Sequence, residues 1–210
     1  MSNVIVAVFA RALVSGQVKT RIAADTGNVC ALEIYRQLLH GTLMQLQASG
    51  LEGAIAGTSV KCPELGRLAT ALDIPLLPQG EGDLGERMES VFRLLHRSHQ
   101  RVIIIGSDCP AMDSDHLKAL ALQLERSDTV VTPAEDGGYV AIGSGAPALW
   151  RKKVFEGVQW STAETLRQTV SRLHALGVNV TMMDTLWDVD TFEDAQRAGQ
   201  LGMLDLAFMQ

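Results

Sequence analysis

The sequence predicts an α/β fold, a mostly parallel β-sheet with helices on both faces, and three observations carry the prediction. Short β-branched runs alternate along the 210 residues with longer segments of helical periodicity. Apolar residues make up 47% of the chain, enough to fill one sizeable core. No internal repeat, low-complexity tract or linker interrupts the pattern, so residues 1–210 read as a single domain.

The elements follow in order. Val4 to Phe9 is an unbroken apolar run and reads as the first strand, followed by a loop containing Ser15-Gly16. A helix is expected from about Thr26 to Gln47, with Leu32, Tyr35, Leu39, Leu43 and Leu46 on one face and Gly50 after its end. Leu51 to Gly57 is a weaker strand, Pro63 to Leu72 a helix and Ile74 to Leu77 a short strand. Leu84, Met88, Val91, Phe92 and Leu95 mark the next amphipathic helix, and Val102 to Ile105 is the clearest buried strand. A helix starting near Asp113 or Ser114 buries Leu117, Leu120, Ala121 and Leu124. Strands at Thr129 to Thr132 and Tyr139 to Ile142 come next. Ser161 with Glu164 three residues later has capping-box spacing, which predicts a helix from Ser161 to about Ala175. Val178 to Met182 is the last strand, and a final helix begins near Thr191.

Composition removes several classes of function. The run Val4 to Ala10 is far too short to span a bilayer and no basic stretch precedes it, so a cytoplasmic protein without a membrane span is expected. Cys30, Cys62 and Cys109 are odd in number and widely spaced, which argues against disulfides and a structural zinc site. The five histidines, His40, His96, His99, His116 and His174, fall in stretches read as helical, and no pair has metal-motif spacing. A net charge of −6 argues against a general grip on nucleic acid, so any phosphate binding must be local.

In open α/β sheets ligands gather beyond the carboxyl ends of the strands, and four polar loops stand there. Arg11 through Arg21 places Gly16, Ser15, Thr20 and the cations Arg11, Lys19 and Arg21 directly after the first strand. Such a loop can wrap a phosphate chain, although it lacks the Gly-Lys step of a Walker A loop, and a solvated basic loop is the plain alternative. Asp108 follows the buried strand in Ser107-Asp108-Cys109-Pro110, as a rigid carboxylate suited to a hard cation or as an Asx turn. Glu135-Asp136-Gly137-Gly138 offers an acid beside glycines that admit a bulky ligand, with a hairpin turn as the competitor. Asp188 and Asp190 alternate on an extended segment and so face one way, while Asp190 or Thr191 could equally cap the following helix. Taken together, cations after the first strand and carboxylates after later ones suit a nucleotide phosphate chain bridged to a divalent ion.

The motifs Phe9-Ala-Arg-Ala-x-x-x-Gly-x-Val-Lys-Thr-Arg21, Gly82-Asp-Leu-Gly-Glu-Arg-Met88, Gly106-Ser-Asp-Cys-Pro110, Glu135-Asp-Gly-Gly-Tyr139, Trp160-Ser-Thr162 and Asp188-Val-Asp-Thr191 occur together. In that order they resemble a family of small bacterial glycosyltransferase-A-like transferases, also called selenodomain-associated, over nearly the whole chain. The resemblance implies the glycosyltransferase-A, or nucleotide-diphospho-sugar transferase, fold. It implies a nucleotide-binding set of Phe9, Arg11, Gly16, Lys19, Arg21 and Arg87, and a metal pair of Asp108 and Asp190 holding Mg²⁺ or Mn²⁺. Lys19, Asp108 and Asp136 become the catalytic candidates. Asp188, Gly137, Gly138, Trp160, Ser161 and Thr162 are further candidates on the metal or acceptor side.

The expected function is a metal-dependent transferase that takes a nucleoside triphosphate or nucleotide sugar and a small-molecule acceptor. Nucleotidyl transfer is slightly preferred, because a single acid stands at Ser107-Asp108-Cys109 where glycosyltransferases of this fold carry Asp-x-Asp. Glycosyl transfer and a non-catalytic nucleotide-binding module are the alternatives. The apolar tail from Leu201 to Met209 is expected to cover the core or an interface with a second copy.

Overall fold

The computed structural model describes residues 3–151 and 153–209. Seven strands form one sheet: β1 (Val4–Ala10), β2 (Glu52–Gly57), β3 (Leu76–Pro78), β4 (Arg101–Ile105), β5 (Thr129–Pro133), β6 (Tyr139–Ser144) and β7 (Val180–Met182). Their spatial order is β3-β2-β1-β4-β6-β5-β7. β6 pairs antiparallel with both β4 and β5, and the other pairings are parallel, so β6 alone of these strands runs against the rest. The sheet is therefore mostly parallel, as the alternating pattern predicts.

Side-chain alternation along the central strands builds two cores. Val4, Val6 and Val8 of β1 with Ile103 and Ile105 of β4 face one way. There they meet Leu39, Leu43 and Leu46 of α2 (Asn28–Ser49), Leu65 of α3 (Pro63–Ala71) and Leu117 and Leu120 of α5 (Ser114–Gln123). Ile5, Ala7, Val102 and Ile104 face the other way, onto Met88, Val91 and Phe92 of α4 (Leu84–Leu95) and Leu173 of α6 (Thr165–Ala175). Burial on both faces is why these strands read as continuous apolar runs. A third cluster joins Ile22 of α1 (Thr20–Thr26), Ile34 and Leu38 of α2, Ala195 and Ala198 of α7 (Phe192–Gln200), and Trp187 and Val189. Leu204 is buried in it and Leu206 packs against it, so part of the C-terminal tail covers core, whereas Leu201, Met203 and Phe208 are exposed.

Several boundaries differ from the sequence reading. The segment after β1 is not loop throughout: Thr20 opens the seven-residue helix α1, and Gly27 at φ 84° separates it from α2, which starts at Asn28 rather than Thr26. The Ser161 capping box does not form. Ser161 adopts φ 59°, outside the extended region an N-cap occupies, and α6 starts at Thr165. Tertiary contact decides this start, since Leu166 donates its main-chain N–H to Gly137 O at 3.0 Å and the Thr165 hydroxyl donates to Gln159 O at 2.8 Å. Reciprocal capping boxes form instead at Asp83 with Glu86 and at Thr191 with Asp194. His96 and His99 lie beyond the end of α4 rather than in a helix, and β3 and β7 begin at Leu76 and Val180, two residues later than read.

Candidate active site

The carboxyl ends of β1, β4 and β5 and the amino end of β6 share one edge of the sheet, and the polar loops meet there. Lys19 is the joint. It stands at the N-cap of α1 in a left-handed conformation, φ 45° and ψ 50°, unusual for a residue with a Cβ. The anchors on either side are the buried Val18 and Ile22, which hold the chain against the core so that the lysine turns inward. Its Nζ donates to Asp108 Oδ2 at 2.8 Å and lies 3.6 Å from Asp190 Oδ1, with a side chain only 6% exposed. Burial works against its charge, but Asp108 and then Asp190 and Asp188 outweigh burial, and the lysine pKa is raised above its ordinary value.

The acidic residues reach this point by main-chain docking. Asp108 stands just past β4, where a Cβ on Gly106 would lie 2.9 Å from Asp108 Oδ1, so glycine makes room for the carboxylate. Leu186 docks at the end of β5, donating its main-chain N–H to Pro133 O and accepting from Glu135 N–H. Val189 N–H then donates to Asp108 O at 2.9 Å. With Trp187 and Val189 buried in the third core cluster, the alternation of an extended segment turns Asp188 and Asp190 to the site. The two readings of this segment hold together: Thr191 caps α7, and Asp190 is free to pair with Lys19 and with Arg21 Nη1 at 2.9 Å. Arg21 is a helical residue, largely exposed, and touches Asp190.

Asp188 is surrounded by like charge. Burial first, and then Asp108 and Asp136, push its carboxyl up to about 7, and Lys19 offsets only part of that. Burial raises the neighbouring Cys109 thiol to about 12, so it stays protonated and offers no thiolate. Asp108, Asp136 and Asp190 thus surround Asp188 with negative charge that Lys19 only partly offsets. Among the described residues no three His, Cys, Asp or Glu side chains stand close enough to cage a metal by themselves.

The turn joining β5 to β6 is the hairpin that competed with a ligand reading. Asp136 Oδ1 accepts from Gly138 N–H at 2.8 Å, an Asx turn, and Gly137 has φ 89°. Asp136 nevertheless remains exposed and electrostatically coupled to Asp188. Gly137 also lets the segment before α6 sit close, since a Cβ there would lie 2.4 Å from Ala163 O. Across the same segment Trp160 packs on Gly85 of α4, edge-on to Tyr139 at 6.4 Å between ring centres. Ser161 and Thr162 are exposed on this segment, and the Thr162 hydroxyl donates to Gln159 O rather than reaching the carboxylates.

The phosphate-side candidates are spread along the edge. Phe9 is half-buried against the second core cluster. Gly16, with φ 80°, sits in the exposed turn before Lys19, and the Arg11 side chain is exposed. Arg87 donates from Nε to Asp83 O at 3.2 Å and from Nη1 to Gln79 Oε1 at 3.1 Å. Two residues outside the sequence-level set hold this region. Tyr35, read there as a core residue, accepts from Arg11 N–H at 2.7 Å and lies 3.2 Å from Ser107 Oγ, tying the loop after β1 to the loop after β4. Gln79 is the other. Neither carries a sequence motif beyond its residue type.

Residues 42–162 match the family model described as an uncharacterized protein conserved in bacteria, DUF2064. The chain belongs to this family. It superposes at a TM-score of 0.84 on a crystal structure from Desulfovibrio desulfuricans G20, of a protein provisionally named a nucleotide-diphospho-sugar transferase. The two are 26% identical over 100% of this chain and 91% of that one. The fold is also that of 4-diphosphocytidyl-2C-methyl-D-erythritol synthase from Anaerococcus prevotii, with a TM-score of 0.67 and 10% identity over 97% of this chain and 100% of that one. A nucleotidyl transferase from Methanothermobacter matches with the same TM-score of 0.67 and 14% identity over 94% and 96% of the two chains. A comparison with curated proteins finds no significant match. The nucleotide-diphospho-sugar transferase fold expected from the motifs is therefore the fold of this chain. Among the described residues no helix is long and apolar enough to cross a membrane.

Proposed function

We propose that this protein is a divalent-metal-dependent transferase that binds a nucleotide across the carboxyl edge of its sheet, with nucleotidyl transfer preferred. One observation carries the reading: a buried lysine, Lys19, bridges two carboxylates, Asp108 and Asp190, that come from distant parts of the chain. Burying a lysine ammonium is a costly way to gain stability, and its placement at the ligand-binding edge of this fold supports a functional purpose.

The donor set fits Mg²⁺ or Mn²⁺. Asp108 and Asp190 are hard oxygen donors that already share one cationic partner, and Mg²⁺ usually takes one or two carboxylates and leaves other positions to water and phosphate oxygens. When bound, the ion withdraws charge from the phosphate oxygens it touches. Asp108 and Asp190 would hold the ion, and the ammonium of Lys19 beside them would neutralise charge that develops on the leaving group. Arg11, Arg21 and Arg87 bind the remaining phosphate oxygens, Arg side chains suiting bidentate contacts. Asp136, exposed beside Gly138, accepts the proton of an acceptor hydroxyl. Gly137, Gly138 and Trp160 shape the acceptor side.

The Desulfovibrio relative favours a second reading, glycosyl transfer from a nucleotide sugar, because its provisional name specifies that donor class. Released products separate the two. Pyrophosphate marks nucleotidyl transfer, and nucleoside diphosphate marks glycosyl transfer.

Thermal unfolding against nucleoside triphosphates and nucleotide sugars, each with Mg²⁺, Mn²⁺ or chelator, tests the reading. A ligand at about 100 times its Kd adds roughly 2.7 kcal/mol and raises the midpoint by several degrees. The expected result is a shift that needs metal and is absent in Asp108→Ala. A metal-dependent shift that survives in Asp108→Ala, or no shift with any nucleotide, overturns the assignment.

A further inference from the structure

Gln79 is 3% exposed, and its main-chain N–H, its side-chain NH2 and its side-chain carbonyl are each engaged. Its main-chain N–H donates to Gly57 O at 3.1 Å. Its side-chain Nε2 donates to Ala56 O at 2.8 Å and to Ala10 O at 3.3 Å, carbonyls in the last two residues of β2 and at the end of β1. These contacts fix the amide orientation, because a flipped amide would set Oε1 against two carbonyl oxygens. Oε1 must then point at Arg87, whose Nη1 donates to it at 3.1 Å while Nε donates to Asp83 O at 3.2 Å.

Both partners of this guanidinium are neutral. Among the described residues Arg87 makes no ion pair, whereas Lys19, Arg21, Arg36 and Arg197 each hold a carboxylate. An arginine held in place by a buried amide and a main-chain carbonyl keeps its full charge for an incoming anion and has already lost its rotamer freedom. The anchor Ala10 O immediately precedes Arg11, so the same glutamine bridges the segments that carry Arg11 and Arg87, neither of which is in an ion pair among the described residues.

Resting on the phosphate-binding reading given above, we infer that Gln79 is a positioning residue that presets Arg87 to clasp the phosphate groups of the nucleotide. It touches no ligand itself and acts through the guanidinium.

The test is a double-mutant cycle read by calorimetric titration of inorganic tripolyphosphate in magnesium buffer. Gln79→Met keeps the side-chain length and removes the acceptor; Arg87→Ala removes the cation. Each single variant is expected to weaken binding about tenfold, the worth of one hydrogen bond to a charged group. The double variant is expected to bind as Arg87→Ala does. The melting temperature falls with Gln79→Met in both backgrounds, because Ala10 and Ala56 lose a donor whatever stands at 87, so affinity and stability separate the positioning role from a structural one. Unchanged affinity in Gln79→Met, or a further tenfold loss in the double variant, overturns the inference and leaves the phosphate reading standing. Failure of the wild-type protein to bind tripolyphosphate overturns both. Should Gln79→Met not fold, Arg87→Lys decides. A lysine keeps the charge but cannot reach Gln79 Oε1 and Asp83 O together, so affinity as weak as Arg87→Ala supports the inference and wild-type affinity overturns it.

Discussion

Lys19 Nζ and Asp108 Oδ2 meet at 2.8 Å across 89 residues of chain, and Asp190 closes on the same ammonium from the other side. The lysine is the counterion of an acidic cluster that it does not fully neutralise, and several consequences can be measured.

Removing Lys19 should expose that imbalance. Lys19→Met leaves Asp108 without its partner and Asp190 with Arg21 alone, and because both carboxylates are partly exposed the cost is expected at about 1–2 kcal/mol, below that of breaking a fully buried pair. The expected result is a lower melting temperature in chelator and a larger gain on adding Mg²⁺ than wild type shows, since the ion then supplies the missing charge. Turnover, once a product assay exists, should fall by about 100-fold or more. Equal Mg²⁺ gains in the two proteins would count against the shared site.

Asp188 predicts a pH dependence of stability in the absence of metal. Its carboxyl titrates near 7 in the folded chain, against about 4 when unfolded. Between those values the folded state holds a proton that the unfolded chain has released, so stability falls as pH rises through the window. Asp188→Asn removes the effect. Its melting temperature relative to wild type should therefore climb from pH 5 to pH 8, and a constant offset across that range would refute the assignment.

Asp194 carries the opposite sign. Burial works to raise its pKa, but hydrogen bonds from the Thr191 hydroxyl and main chain and from Asp190 N–H prevail and lower it. Its contribution is present above the unfolded value and is lost as pH falls through the folded one. Thr191→Ala should cost about 1 kcal/mol at neutral pH, measured by denaturant unfolding, and distinctly less at pH 3.

The two glycines under the segment before α6 should differ in tolerance. Gly85→Ala sets a methyl 2.6 Å from Phe155 Cβ and 2.7 Å from the Trp160 ring, an overpacking of about 1–3 kcal/mol. Gly137→Ala adds a left-handed φ of 89° to a clash with main-chain Ala163 O, which no rotamer relieves. Chemical denaturation should rank Gly137→Ala as the more destabilised of the pair.

The thiols offer a direct check of burial. Cys109, pushed up to about 12, should resist iodoacetamide at pH 8 in the native protein, while the half-buried Cys30 reacts first. Peptide mapping after timed alkylation reads the order.

Much of this was legible in the chain. Val4 to Phe9 and Val102 to Ile105 announced the central strands, because a strand buried on both faces is apolar at every position. Asp108 was visible as a polar residue directly after an apolar run, which is where a strand end falls, and Asp188 and Asp190 as alternating acids on an extended segment before a helix. Local chemistry misled where contact overrode it. Ser161 and Glu164 had the spacing of a cap, yet the docking of Leu166 N–H on Gly137 O moved the helix start to Thr165.

By itself, then, the sequence determined the alternating elements, the two-sided core and the types of group at the sheet edge, because these follow from periodicity and from residue chemistry. Only the tertiary structure decided that Lys19 pairs with Asp108 and Asp190, that Tyr35 and Gln79 brace the loops around them, and that Arg87 has neutral partners alone. Those relationships join residues tens of positions apart, and no local pattern encodes a distance that exists only after the strands have come side by side.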